Sequence, residues 1–154
     1  MTATVTRAEL AALVGKELGV SDWFPIDQAR VNAFADVTLD HQFIHVDPAR
    51  ARGTPFGGTI AHGFLTLSLL VHLCLPFIPV PANRELIVNY GFDKIRFVAP
   101  VRVGKRIRAR GTLGAVEERK PNQIQLRVDV TVEIEGEEKP ALVAEWLSLH
   151  VVSA

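Results

Sequence analysis

Hydrophobic positions along the first half of the chain recur at helical spacing or run together. From about Glu85 onward they alternate with polar ones, as in strands. "TRAE" at Thr6 to Glu9 has the form of a capping box. The "LAALV" that follows predicts a short helix stopping near Gly15 or Gly19. "SDWFPI" reads as a short extended segment. Asp27 is placed to cap a second helix through about Val37, with Ile26 and Val31 spaced as a hydrophobic staple. "LDHQFIHV" reads as a loop or short extended piece. "DPARA" reads as a helical turn with Asp47 as N-cap and Pro48 at the first helical position. Beyond the loop "GTPFGG", "TIAHGFLTLSLLVHLCL" is apolar on nearly every face, which predicts a buried helix ended by the proline-rich "PFIPVPAN".

Five strands are expected after it: "ELIVNYGF", "DKIRFV", "KRIRARGTLGAVEE", "NQIQLRVDVTVEIEG" and "PALVAEWLSLHVV". Gln123 to Glu135 alternates almost without fault, the mark of a half-buried antiparallel strand. "RKPN" and "EGEEK" supply turns. Helices first and long strands afterwards make an α+β fold, an antiparallel sheet wrapped around one apolar helix. No repeat or linker divides the chain, so residues 1–154 are expected to form one domain.

The apolar run raises the question of a membrane, since no Lys, Arg, Asp or Glu lies between Arg52 and Arg84. Pro76, Pro79 and Pro81 break the helix after Leu75. Started near His62, it spans only about 20 Å, short of a bilayer core. His62 and His72 would add cost in lipid. Lys plus Arg equals Asp plus Glu at 17 each, so net charge points to no nucleic-acid partner. The single Cys74 allows no internal disulfide and no thiolate zinc cluster. With no secretory pattern at the N-terminus, a reducing cytoplasm is the expected setting. Phosphate-loop and G-x-S-x-G signatures are absent from the sequence.

Candidate chemistry gathers just before and inside the apolar helix: Asp40, His41, Gln42, His45, His62, Ser68 and His72. An Asp and a His can divide general acid–base work. The N–H groups at a helix start are unpaired, and Gly63 would let a ligand oxygen approach that backbone closely. An acid–base pair beside such an amide suits chemistry next to a carbonyl, above all a thioester. Each residue also has a plainer reading: Asp40 as a turn residue, His45 as a hydrogen-bonded buried histidine. Ser68 and His72, four apart, could pair as nucleophile and base, or be core residues bonded within the helix. His41 and His45 are likewise four apart, but lack a clear third metal ligand. His150 in the last strand reads as structural. Lys94 and Arg96 read as a solvated strand face that could also meet phosphate.

At these residues the sequence resembles a known family. "FADVTLDHQFIHVDPARA" followed by "GGTIAHGFLTLSLL" is similar to the MaoC-like dehydratases, the hydratase 2 or (R)-specific enoyl-CoA hydratase family, and nearest to its nodulation protein N-like branch. The likeness runs on through "NYGFDKIRFVAPVRVGKRIRA" and "KPALVAEW". It implies a hot-dog fold, an antiparallel sheet around a long central helix, and a homodimer. The family pattern Gly-Asp-x-Asn-Pro-aliphatic-His falls on Leu39 to His45. It makes Asp40 and His45 the catalytic pair and puts Gln42 at the amide position. Leu39 replaces the family glycine. Leucine takes a positive φ only at a cost, so the turn is expected to differ unless the glycine does not need that conformation.

The family's Ala/Val-His-Gly element falls on Ala61, His62 and Gly63, with Gly63 as backbone donor to the thioester oxygen and Ser68 in support. The resemblance implies reversible hydration of a trans-2-enoyl-CoA to the (R)-3-hydroxyacyl-CoA, without metal or other cofactor. The substrate would be carried as CoA or acyl-carrier-protein thioester, and Lys94, Arg96 and Arg102 would be available to CoA phosphates. Two rival readings are a hot-dog thioesterase, with water aimed at C1, and a catalytically inactive acyl-binding protein.

Overall fold

A computed structural model describes residues 4–153. The first elements are β1 (Thr4–Val5), α1 (Arg7–Leu13), β2 (Glu17–Val20), β3 (Phe24–Pro25) and α2 (Gln28–Thr38). Three short helical pieces follow, α3 (Phe43–Val46), α4 (Pro48–Ala51) and α5 (Gly63–Ser68), then α6 (Leu70–Cys74). Strands β4 (Val80–Pro81), β5 (Arg84–Phe97), β6 (Arg106–Lys120), β7 (Gln123–Ile134) and β8 (Leu142–Val152) complete the order. The main sheet runs β2-β6-β7-β8-β5, antiparallel throughout, with β3 also paired to β6. The last strand, β8, therefore lies inside the sheet, and β5 is an edge.

Alternation in the strands builds the core directly. In β7, Ile124, Leu126, Val128, Val130, Val132 and Ile134 are all buried, while Arg127, Asp129, Thr131 and Glu133 between them are partly exposed. The buried row joins Leu10, Val31, Leu65, Leu70, Leu73 and Cys74 from the helices in one cluster. Helices thus cover one face of the curled sheet, which is the hot-dog arrangement. Burial pushes the Cys74 thiol up to about 12, so it is an inert core thiol.

Local chemistry fixes the helix starts as expected. Thr6 and Glu9 form the capping box, and the Asp27 and Asp47 carboxylates accept from the N–H of Arg30 and Arg50 at 2.8 Å and 3.0 Å. Ile26 and Val31 are both fully buried.

Of the two helix stops offered, the chain uses Gly15, which takes φ +81° and turns the chain back along β6 as β2. Two other expectations need correction. The stretch read as loop or extended contains α3, held by the Asp47 N–H on the Phe43 carbonyl at 3.0 Å. "ELIVNYGF" and "DKIRFV" are one strand, β5, with irregular register near Gly91 and Asp93. A short parallel ladder between β1 and β4 carried no periodic signal.

The apolar helix also differs. It runs from Gly63 to Cys74 in two segments joined at Leu69. The Ser68 hydroxyl donates to the Phe64 carbonyl at 2.7 Å, a back-bond that disturbs helical geometry. Leu69 still donates to Leu65 and accepts from Leu73, so the path continues. One side is buried; on the other, Phe64 is 67% exposed and Val71 and Leu75 are exposed too. Among the described residues, no helix is long and apolar enough to cross a membrane.

Candidate active site

The turn between α2 and α3 places the first functional side chain. Leu39 closes α2 in the left-handed region, at φ 61° and ψ 20°. Leucine takes the positive φ despite its cost: the chain makes a turn of the kind that glycine favours and carries the strain in an exposed leucine. Asp40 follows at once, exposed, its Oδ1 accepting weakly from the Gln42 N–H at 3.3 Å.

His45 sits in α3 and is only 7% exposed. Its Nδ1 lies 2.7 Å from the Ile60 carbonyl. A carbonyl only accepts, so Nδ1 carries the proton and Nε2 keeps a free lone pair. His62 precedes α5 and is buried. Its Nε2 lies 2.9 Å from the Asp40 carbonyl and must donate, while its buried Nδ1 has no partner among the described residues. The two imidazoles therefore donate from opposite ring nitrogens. They stack with centroids 3.8 Å apart and planes 23° from parallel, and Phe34 packs on His62 at a tilt, with centroids 5.0 Å apart.

Asp40, His45 and His62 each bring one nitrogen or oxygen atom within 4.8 Å of the others. Each imidazole already spends one nitrogen on a backbone carbonyl, so the trio offers one remaining nitrogen per ring and one carboxylate. Burial holds the His45 pKa below the usual histidine value. Nearby His62 adds to this; the Ile60 carbonyl and Asp40 oppose it.

His45 lines an apolar cavity of about 360 Å³ together with Phe56, Gly63, Thr66, Phe97 and Val101. Gly63 begins α5, so its N–H has no helical acceptor, and it finds none elsewhere among the described residues. A Cβ at Gly63 would stand 3.0 Å from the Phe97 ring, which explains glycine here without appeal to its φ.

The other expected residues are more scattered. Gln42 is the exposed N-cap of α3 with no side-chain cap bond. Ser68 spends its hydroxyl on Phe64 and faces a separate shallow groove with Val71, Asn89 and Trp146. His72 packs edge-on against Phe24, not against Ser68. His41 turns outward to Asp36 at 2.8 Å, and His62 takes the place beside His45 that spacing had offered to it. Lys94 pairs with Glu145 at 2.9 Å and shares with Arg96 a depression that also includes Thr112, Asp129 and Thr131. Both stand on the sheet face opposite the helices, away from the cavity. Arg102 bridges to Ile60, and its guanidinium approaches Gly57 in the loop that carries Phe56. Of the three expected cations it alone is beside the site. His150 is fully buried against the Ser148 hydroxyl at 2.9 Å, and burial takes its pKa down to about 4.

Three contributors escaped the sequence reading. The Gln28 side-chain amide donates to the His45 carbonyl at 2.7 Å, and the Thr59 hydroxyl donates to Gln28 Oε1 at 2.6 Å. These partners lie 17 and 31 residues apart, so no local pattern announces them. Thr66 is the third, hidden inside an apolar run.

The fold is the hot-dog fold, and a carboxylate and two imidazoles gather where His45 meets an apolar cavity. The chain belongs to the family described as MaoC like domain, matched over residues 9–135. It is 51% identical over 144 residues to 3-hydroxyacyl-thioester dehydratase Z of Mycobacterium tuberculosis, covering 94% of this chain and 95% of that one. With nodulation protein N of Rhizobium meliloti the identity is 49% over 146 residues, covering 94% and 91%. A solved (R)-hydratase of Aeromonas caviae superimposes with a TM-score of 0.66 at 28% identity, covering 88% of this chain and 94% of the other. At family level the protein is a hydratase or dehydratase.

Proposed function

We propose that the protein reversibly hydrates a trans-2-enoyl thioester to the (R)-3-hydroxyacyl thioester, with Asp40 and His45 as the acid–base pair. The observation that carries this is the free Nε2 of a neutral His45, close to the Asp40 carboxylate and lining the cavity that also holds the unpaired Gly63 N–H. A water held between Asp40 and His45 loses a proton to His45 Nε2 as its oxygen bonds to C3. The C2–C3 π electrons pass to the thioester oxygen, and the Gly63 N–H donates to that developing enolate. The enolate then collapses as C2 takes a proton from the pair, which is left ready for the next water. Dehydration is the same path reversed. These steps close without a metal or redox cofactor. Names of the relatives, a 3-hydroxyacyl-thioester dehydratase and an (R)-hydratase, support the substrate class and the stereochemistry. Arg102, on the cavity side, is the cation for a CoA phosphate.

The protein acts as a homodimer in this reading. Edge strand β5 exposes Leu86, Ile87, Val88, Tyr90 and Phe92, and the nearby helix exposes Val71 and Leu75. An apolar edge and an apolar helix face side by side are costly to leave in water, and a second copy covers both.

Loss of enoyl absorbance with crotonyl-CoA tests the reaction. Wild type is expected to hydrate it, and Asp40→Asn and His45→Gln to fall by two orders of magnitude or more while keeping wild-type melting curves. Inert wild type, or release of free thiol from a saturated acyl-CoA, overturns the reading.

A further inference from the structure

The cavity beside His45 holds one polar side chain that neither the sequence motifs nor the reaction scheme uses. Thr66 is 2% exposed, yet its hydroxyl makes no hydrogen bond among the described residues. The hydroxyl is not fully occluded: it holds part of the little surface Thr66 retains. Thr66 lines the cavity with His45 and Gly63. A buried hydroxyl is nearly always paired, and a threonine in a helix commonly bonds back to a carbonyl one turn earlier. Here the neighbouring Ser68 does so and Thr66 does not. An apolar residue of similar size would fill the position without leaving a donor idle.

Geometry supplies the missing partner. Thr66 lies one turn after Gly63, on the same side of α5. Side chains on a helix lean toward its N-terminus, so the Thr66 side chain leans over the turn that presents the free Gly63 N–H. Accepting that the cavity takes an acyl thioester, we infer that the Thr66 hydroxyl is a second donor to the thioester oxygen, beside the Gly63 amide. It moves no proton; its bond strengthens as negative charge builds on that oxygen, so it acts on turnover more than on ground-state binding. The substrate it selects is one whose oxygen stands at this spot, one helical turn from Gly63, with the acyl chain among Phe56, Phe97 and Val101.

The test compares wild type with Thr66→Val, which keeps the shape and removes the hydroxyl, and Thr66→Ser, which restores it. Three readouts are taken: kcat and KM on crotonyl-CoA, binding of the unreactive butyryl-CoA by titration calorimetry, and thermal melting without ligand. Expected for Thr66→Val is a melting temperature no lower than wild type, since an unpaired donor is removed, and a kcat lower by about tenfold or more with a smaller change in KM. Thr66→Ser is expected to regain most of the rate. Unchanged kcat and butyryl-CoA affinity in Thr66→Val overturn the inference. So does a lower melting temperature with activity intact, the signature of a purely structural hydroxyl. Should wild type fail to hydrate crotonyl-CoA, the reaction scheme falls separately. Butyryl-CoA binding then decides for Thr66, weaker binding in Thr66→Val upholding it and equal or undetectable binding overturning it.

Discussion

Leu39 shows how one residue carries a cost for the site. Its left-handed backbone sets the turn that delivers Asp40, and its side chain, 82% exposed, contributes no packing in return. A non-glycine residue in that region costs about 1 kcal/mol or more, partly offset by the backbone entropy glycine would lose. Leu39→Gly is therefore expected to stabilise the protein by roughly 0.5–1 kcal/mol in urea denaturation, with activity retained. A loss of stability would show that Leu39 packs against something outside this chain. His45 makes a prediction of opposite character. Since burial lowers its pKa, the neutral base persists below the usual histidine value of about 6.5. Activity should be complete above that value and fall only as pH drops through the lowered one. A kcat/KM profile whose acid limb is centred above 6.5 would contradict the assignment. That Asp40 and His45 lie together was legible from sequence because they are close in the chain. The grip of Gln28 and Thr59 on His45 was not, because those contacts exist only once α2 and the loop before α5 meet.

Among the elements, the strands were the most legible. Alternation depends on one buried face, and β7 keeps that face along its whole length. The apolar helix was the least faithful to its pattern. Hydrophobicity on every side was read as burial on every side, yet one side faces outward in the single chain. Its break at Leu69 follows the Ser68 hydroxyl, which is committed to the Phe64 carbonyl. Ser68→Ala should accordingly leave hydration within about threefold of wild type and change stability by under roughly 1 kcal/mol. A collapse of kcat would mean that Ser68 leaves Phe64 and enters the chemistry, and a steady-state assay would reveal it.

The whole molecule presents two apolar faces together, the β5 edge and the outer side of α6. If a second copy covers them, wild type should sediment as a dimer, and Val71→Glu with Leu75→Glu should sediment as a monomer with reduced activity. A monomeric wild type that hydrates crotonyl-CoA at full rate would remove the need for a partner.

Strand order has a consequence for synthesis. The family match ends at residue 135, but β8 begins at Leu142 and bridges β7 to β5. Until β8 leaves the ribosome, β7 lacks one neighbour and β5 lacks the one it has among the described residues, so two sticky edges wait in the nascent chain. The sheet closes late and through distant pairings, which makes folding slow for a chain of this size. A ribosome stalled before Leu142 should hold a protease-sensitive chain with its acid–base pair already translated and no cavity to serve.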